Sequence, residues 1–411
     1  VAVIRSWGGN REYRAVAIER PATLGDVQRS IAESPQVSVI GTRHTFNDIG
    51  DGEVLVDLSN LASPPVIDRA RRRVSVSGAT TYSELTWHLD RARMALHNLA
   101  SLPHLSVAGA TATGTHGSGS ALGNLSTAVE SVEMITADGD VATFHRGDDY
   151  FDGAVVHLGA LGVVTRLELA LEETYSVEQT VFDGLDWETL ASRFDEVFDS
   201  ATSVSVFTRW GATPGALWCK RRVDDRRASS LDVPLTSATS PRNPIPGIAA
   251  TGCTEQGGVP GPWWDRWPHF RADAVPSAGA EIQSEFFVDR GDSVAAIEAI
   301  RAIGDELDEV LLVSEIRTIA GDDLWMSPCH GRDSTAFHFT WRRDSAAVET
   351  AVELLAQQLE PFAARPHWGK VFPTSFRAAT AYERLDDFLD LRDQLDPGGR
   401  FTTPWFERHV L

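Results

Sequence analysis

The chain has 411 residues, 42% apolar and 23% charged, which describes a globular protein long enough for two domains rather than a disordered or fibrous one. Its formal net charge of −21 argues against nucleic acid or an anionic membrane as partner, and suits a neutral substrate better than an acidic one. No apolar run approaches the roughly 18–20 residues that span a bilayer, and no basic-then-apolar leader opens the chain. With Cys219, Cys253 and Cys329 too scattered for a disulfide framework or a zinc knuckle, a cytoplasmic location without a metal site is expected.

Thr23 is placed to cap a helix over residues 24–33, where Leu24, Val27 and Ile31 share one face. Residues 36–40 read as a short buried strand that delivers the loop containing His44, and residues 54–58 as another strand. Residues 73–78 alternate with period two, and Thr81 or Ser83 then caps a helix running to Met94. Between residues 101 and 119 lies a run of glycine, small residues and hydroxyls. It lacks the G-x-x-x-x-G-K-S/T of a phosphate-cradling loop and the strand-turn-helix context of a dinucleotide fingerprint. What remains is an extended loop whose bare amides and hydroxyls can approach a pyrophosphate closely. A hairpin is predicted over residues 132–144 with Asp138-Gly139 at its turn, and residues 161–169 form a further strand.

After about residue 172 the texture changes. A loop-rich stretch from Ala228 to Pro268, studded with prolines and with Trp263, Trp264 and Trp267, reads as a packing arm or lid. Strands at residues 280–288, 310–319 and 335–341 alternate with amphipathic helices at 293–307 and 346–359. That order suggests an antiparallel sheet with helices on one face. Leu385–Leu395 is a last helix before the chain end. The predicted fold class is α+β.

Two features carry chemistry. Of 37 basic residues only Lys220 and Lys370 are lysines, leaving 35 arginines. A lysine in such a background is a candidate for a task arginine cannot do, because it is compact and can lose its proton when buried. Lys220, in Cys-Lys-Arg-Arg, reads as a solvated strand end; Lys370, in Pro-His-Trp-Gly-Lys, sits among bulky groups and is the functional candidate. In a strand, Glu315 and Arg317 project to the same face, where a carboxylate and a guanidinium can hold neighbouring hydroxyls of one ligand. Ser101 and Thr340 add hydroxyls suited to the same ligand. His116, His104 and His338 have no metal-ligand spacing.

The segments Gly41-Thr42-Arg43-His44-Thr45, Ser101 to Gly119 and Leu158 to Thr165 together resemble the vanillyl-alcohol oxidase superfamily, in which FAD is joined to a histidine. Glu315-Ile316-Arg317-Thr318 and His367-Trp368-Gly369-Lys370 narrow the resemblance to the alditol oxidases, over nearly the whole chain. The resemblance implies a two-domain FAD-binding fold: an FAD domain over residues 1–175, an antiparallel-sheet-plus-helices substrate domain over 176–375, and a segment over 376–411 returning to the FAD domain. It implies FAD bonded covalently to His44 and contacted by Val39, Ile40, Gly41, Thr42, Arg43, Thr45, Ser101, Ser106, Gly109, Thr113, Gly114, Thr115, His116, Val164 and His367. Ser101, Glu315, Arg317, Thr340 and Lys370 would line a polyol pocket, with Arg317, Lys370 and Glu315 catalytic. The expected reaction oxidises the terminal hydroxyl of an alditol such as xylitol or sorbitol to the aldose, with O2 reduced to hydrogen peroxide by a monomeric enzyme. Thr45 departs from the family's frequent serine but keeps the hydroxyl. Oxidation of aldonolactones is the alternative enzyme reading, and a flavin- or polyol-binding protein without catalysis is the non-enzymatic one.

Overall fold

The computed structural model describes residues 3–225, 231–274 and 280–411. Near the N-terminus, Ala17–Glu19, Val54–Asp57 and Val37–Ile40 pair in that order as a small parallel sheet. The helix Leu24–Glu33 begins as its sequence indicates: Thr23 and Asp26 form a reciprocal capping box, and Val27 and Ile31 are buried. A five-stranded sheet follows, in the order Val66–Asp68, Arg73–Ser77, Val163–Ala170, Val129–Ile135 and Val141–His145. The expected hairpin is present, with Gly139 in the left-handed conformation at φ 85°.

A nine-stranded antiparallel sheet makes up most of the remainder. Its central strands run Ser176–Asp183, Ala216–Arg222, Ser203–Thr208, Leu311–Ile319, Ser334–Arg342 and Glu281–Asp289. Helices Ser293–Arg301 and Ser345–Leu359 pack against the Glu281–Asp289 end of it. Among the described residues no helix is long and apolar enough to cross a membrane. The chain end returns to the first sheet: Val37 N donates to Arg400 O at 2.8 Å, and the Arg400 guanidinium donates to the carbonyls of Ile31 and Ser34 at the end of the first helix.

Four expectations are corrected. The helix expected to reach Met94 stops at Arg91, because Arg93 adopts φ 54° and Met94 then pairs with Glu173 as a strand. The glycine run is not wholly extended, since Val107–Ala112 closes into a short helix whose alanines favour it. The helix expected over 293–307 is two, Ser293–Arg301 and Gly304–Leu307; Gly304 packs tightly on Trp210, whose Cβ and carbonyl oxygen would lie 3.0 Å from an added Cβ. Lys220 is not a solvated strand end but is 2% exposed. Of the tryptophan-rich arm, Ala228 lies outside the described residues; its later part adds Thr236–Ser237 and Gly261–Pro262 to the large sheet and buries Trp263 and Trp267.

Candidate active site

The His44 loop leaves the C-terminal end of Val37–Ile40, and Arg43 turns it with a left-handed backbone at φ 59°. Such a conformation costs a non-glycine residue about 1 kcal/mol or more and persists where the surroundings enforce it. The surroundings here are specific. Phe46 N donates to Gly369 O, and the Asn47 amide donates to the carbonyls of both Trp368 and Lys370, all at 2.8 Å. The Trp7 ring stacks on His44 at 5.0 Å. His44 Nδ1 meets Thr42 Oγ1 at 3.1 Å, while its buried Nε2 has no partner. Burial, then the nearby His104, pushes the His44 pKa down to about 4, so its ring is neutral at physiological pH.

His44 lines a cleft of about 2270 Å³, open solvent at its mouth included. One wall is the small-residue run. A Cβ at Gly41 would overlap Ser106 Oγ, so the two segments touch backbone to side chain there, and one at Gly109 would lie 2.8 Å from the same hydroxyl. Val39, Ile40, Thr42, Arg43, Thr45, Ser101, Thr113, Thr115, His116, Val164 and His367 line the same cleft. Gly114 does not. It adopts φ 65°, and its Cα faces Pro328.

The other wall is the large sheet, whose register assembles the polar cluster. Glu285, His338 and Glu315 lie directly opposite one another on three adjacent strands. Gln283, Thr340 and Val313 form the next row, and Arg317 is two residues beyond Glu315. The row means that alternation on each strand puts all these side chains on one face.

Glu285, which sequence reasoning missed, is the hub. Its carboxylate is fully buried and accepts from Arg317 Nη2 at 2.5 Å and Lys370 Nζ at 2.6 Å. His116 Nε2 lies 3.2 Å from it but out of line for a hydrogen bond, and His338 Nδ1 is 3.7 Å away. Burial alone would raise the Glu285 carboxyl, yet Lys370, His116 and Arg317 hold it well below the usual range. Glu315 behaves alike: Arg317 and His269 outweigh its burial and keep it ionised. Lys370 also donates to His338 Nδ1 at 2.7 Å, which leaves the His338 Nε2 proton to reach Thr340 Oγ1 at 3.2 Å. Burial lowers the Lys370 pKa while Glu285 opposes the fall. Arg317 completes the set, with Nη1 3.4 Å from Ser101 Oγ and a buried Nε lacking a hydrogen-bond partner.

The cluster therefore presents unsatisfied donors and an ionised carboxylate to the cleft, which suits a chain of hydroxyls. For FAD the other wall fits: a neutral imidazole with one free buried nitrogen stands beside a cradle too tight for side chains.

Over 99% of both chains, the sequence is 44% identical to the alditol oxidase of Streptomyces sp. (strain IKD472 / FERM P-14339). The chain belongs to the alditol oxidase family. It is an FAD-dependent oxidoreductase. A profile described as FAD binding domain matches residues 15–145, and one described as D-arabinono-1,4-lactone oxidase matches residues 280–409 of this family member. It is 26% identical, over 98% of both chains, to an L-gulono-1,4-lactone dehydrogenase of Mycobacterium tuberculosis. Its fold is shared with a solvent-stable cholesterol oxidase (TM-score 0.79, 13% identity, covering 100% and 97% of the two chains). The match to the cholesterol oxidase of B. sterolicum is similar (TM-score 0.78, 14% identity, covering 100% and 96%).

Proposed function

We propose that the chain oxidises the terminal C1 hydroxyl of an acyclic alditol such as xylitol or sorbitol to the aldose, with FAD bonded to His44 and O2 reduced to hydrogen peroxide. The observation that carries this reading is the shared cleft: the Glu285-centred cluster and the neutral His44 ring open onto one space. In this reading residues 1–175 hold FAD, 176–375 hold the alcohol, and 376–411 close back on the FAD domain. Bound FAD supplies the two-electron acceptor for the carbon–hydrogen bond and passes the electrons on to O2.

The chain's own residues bind and polarise the alcohol. Glu315, ionised, accepts hydrogen bonds from hydroxyls along the ligand, and Arg317 Nε, ion-paired at 3.6 Å to Glu315 Oε2 but with no hydrogen bond, and the Ser101 and Thr340 hydroxyls donate in return. Lys370 spends two of its three N–H bonds on Glu285 and His338, leaving the third for the reacting oxygen. Burial lowers the Lys370 pKa and Glu285 at 2.6 Å opposes the fall; as the ammonium Lys370 stabilises developing negative charge on that oxygen, and as the amine it would instead take the hydroxyl proton.

Steady-state kinetics on xylitol test the reading. Glu315→Gln is expected to raise KM about tenfold, the loss of a hydrogen bond to a charged group. An unchanged KM removes Glu315 from the pocket, and near-normal turnover of Lys370→Arg rules out a base role for Lys370. The match of residues 280–409 to a lactone-oxidase profile gives the second reading, aldonolactone oxidation. Turnover of aldonolactones with alditols inert would favour it.

A further inference from the structure

We propose that Lys220, from outside the cleft, and His269, at its wall, form a buried positioning relay that fixes the imidazole tautomer holding Glu315, and so sets affinity for the alcohol chain. The proposal rests on the reading of Glu315 as a substrate ligand. Lys220 lies on the strand Ala216–Arg222, its ammonium sealed beneath the tryptophan-rich arm. Its Nζ donates to Trp267 O, to Pro268 O at 3.3 Å and to His269 Nδ1 at 3.2 Å. Three acceptors match the three N–H bonds of the ammonium, the form Lys220 holds below its pKa, which burial lowers to about 7 while Glu315 opposes the fall.

The consequence lies on the imidazole. His269 Nδ1 accepts from Lys220, so the single proton of the neutral ring sits on Nε2, 3.0 Å from Glu315 Oε1. The ring stays neutral because burial, reinforced by Lys220, pushes its pKa down to about 4. Its plane is fixed edge-on by Phe207 at 5.3 Å and Trp218 at 5.4 Å. His269 N also donates to Ser101 O at 3.2 Å, so the same residue anchors a second member of the pocket. Without Lys220 the ring is free to place its proton on Nδ1 and turn a lone pair towards the carboxylate. An ammonium is compact enough for this buried site and a guanidinium is planar and wider, which fits a lysine in a chain where arginine is the ordinary cation.

Kinetics on xylitol with Lys220→Met, His269→Gln and the double variant test the relay, with Glu315→Gln alongside. Lys220→Met is expected to raise KM about tenfold with kcat within about twofold, the loss of one oriented hydrogen bond to a charge. His269→Gln supplies an amide donor that has no tautomer to lock, so adding Lys220→Met to it should change KM little. Effects that multiply in the double variant overturn the relay, as does an unchanged KM for Lys220→Met when Glu315→Gln has raised it. An unchanged KM in Glu315→Gln overturns instead the substrate reading beneath. Should Lys220→Met fail to fold, His269→Phe is expected to raise KM about tenfold over His269→Gln, and equal values for those two variants overturn the proposal.

Discussion

Glu285 shows what a residue can do when burial and charge compete. A carboxylate removed from water is costly, and it persists here because two cations donate to it directly. Replacing it by glutamine preserves shape but leaves Arg317 and Lys370 short of a counter-charge, at a cost of about 3–5 kcal/mol. The sign of the pH dependence follows from the depressed carboxyl. Its contribution is fully present above the unfolded carboxylate pKa of about 4.3, and is lost as pH falls below that towards the folded value. Glu285→Gln should therefore unfold at lower urea than the parent at pH 7, with the gap narrowing at pH 3.5. A gap of constant size would contradict the pairing. Glu285 carried no motif, yet Glu281, Gln283 and Glu285 alternate with Ile282 and Phe286, and that period-two polar face was a readable signal. Glu315, Arg317 and Lys370 were legible because their motifs were specific. Lys220 was misread because Cys-Lys-Arg-Arg looks solvated as a string, whereas the pleat sends Lys220 inward while Arg221 stays outside.

At the scale of elements, alternation and apolar runs make strands legible, and a fully buried strand written with serines is not. Arg73–Ser77 alternates and was read correctly. Ser203–Thr208 is buried at every position, so its serines carry no surface signal; neither it nor Ser176–Asp183, on the far side of Ala216–Arg222, is expected from the sequence, and of Ala216–Arg222 only the end at Lys220 is. The junction between Val37–Ile40 and the short helix Val107–Ala112 was legible in kind, as glycine near small residues, but not in geometry. There Gly41 abuts Ser106, and a methyl group would overlap the hydroxyl while lying 3.0 Å from Ser106 Cβ. Gly41→Ala is expected to destabilise the protein by about 1–3 kcal/mol, as overpacking does, and to lower the flavin content of purified protein. Adding Ser106→Ala should restore part of both, because the overlapping atom is gone. A Gly41→Ala protein with parental melting temperature and full yellow colour would show that the two segments can part freely.

At the scale of the molecule, the cleft is built by segments distant in sequence, which is why its parts were legible singly and their meeting was not. Asn47 ties the His44 loop to the carbonyl of Lys370, and Phe401, Thr403 and Phe406 bring the chain end to the same cleft. A ligand filling such a space stabilises every segment around it, by RT ln(1 + [L]/Kd) when held reversibly, or about 2.7 kcal/mol at a hundredfold excess over Kd. A covalent bond to His44 removes the dependence on free ligand altogether. Acid precipitation of the parent protein should then leave the yellow pigment in the pellet, and precipitation of His44→Ala should release it to the supernatant. The variant should also melt at a temperature that rises with added FAD, while the parent's melting temperature should not respond. Pigment released from the parent, or an FAD-dependent melting temperature in it, would break the assignment of the tether to His44 and leave the neutral ring as a packing residue beneath Trp7.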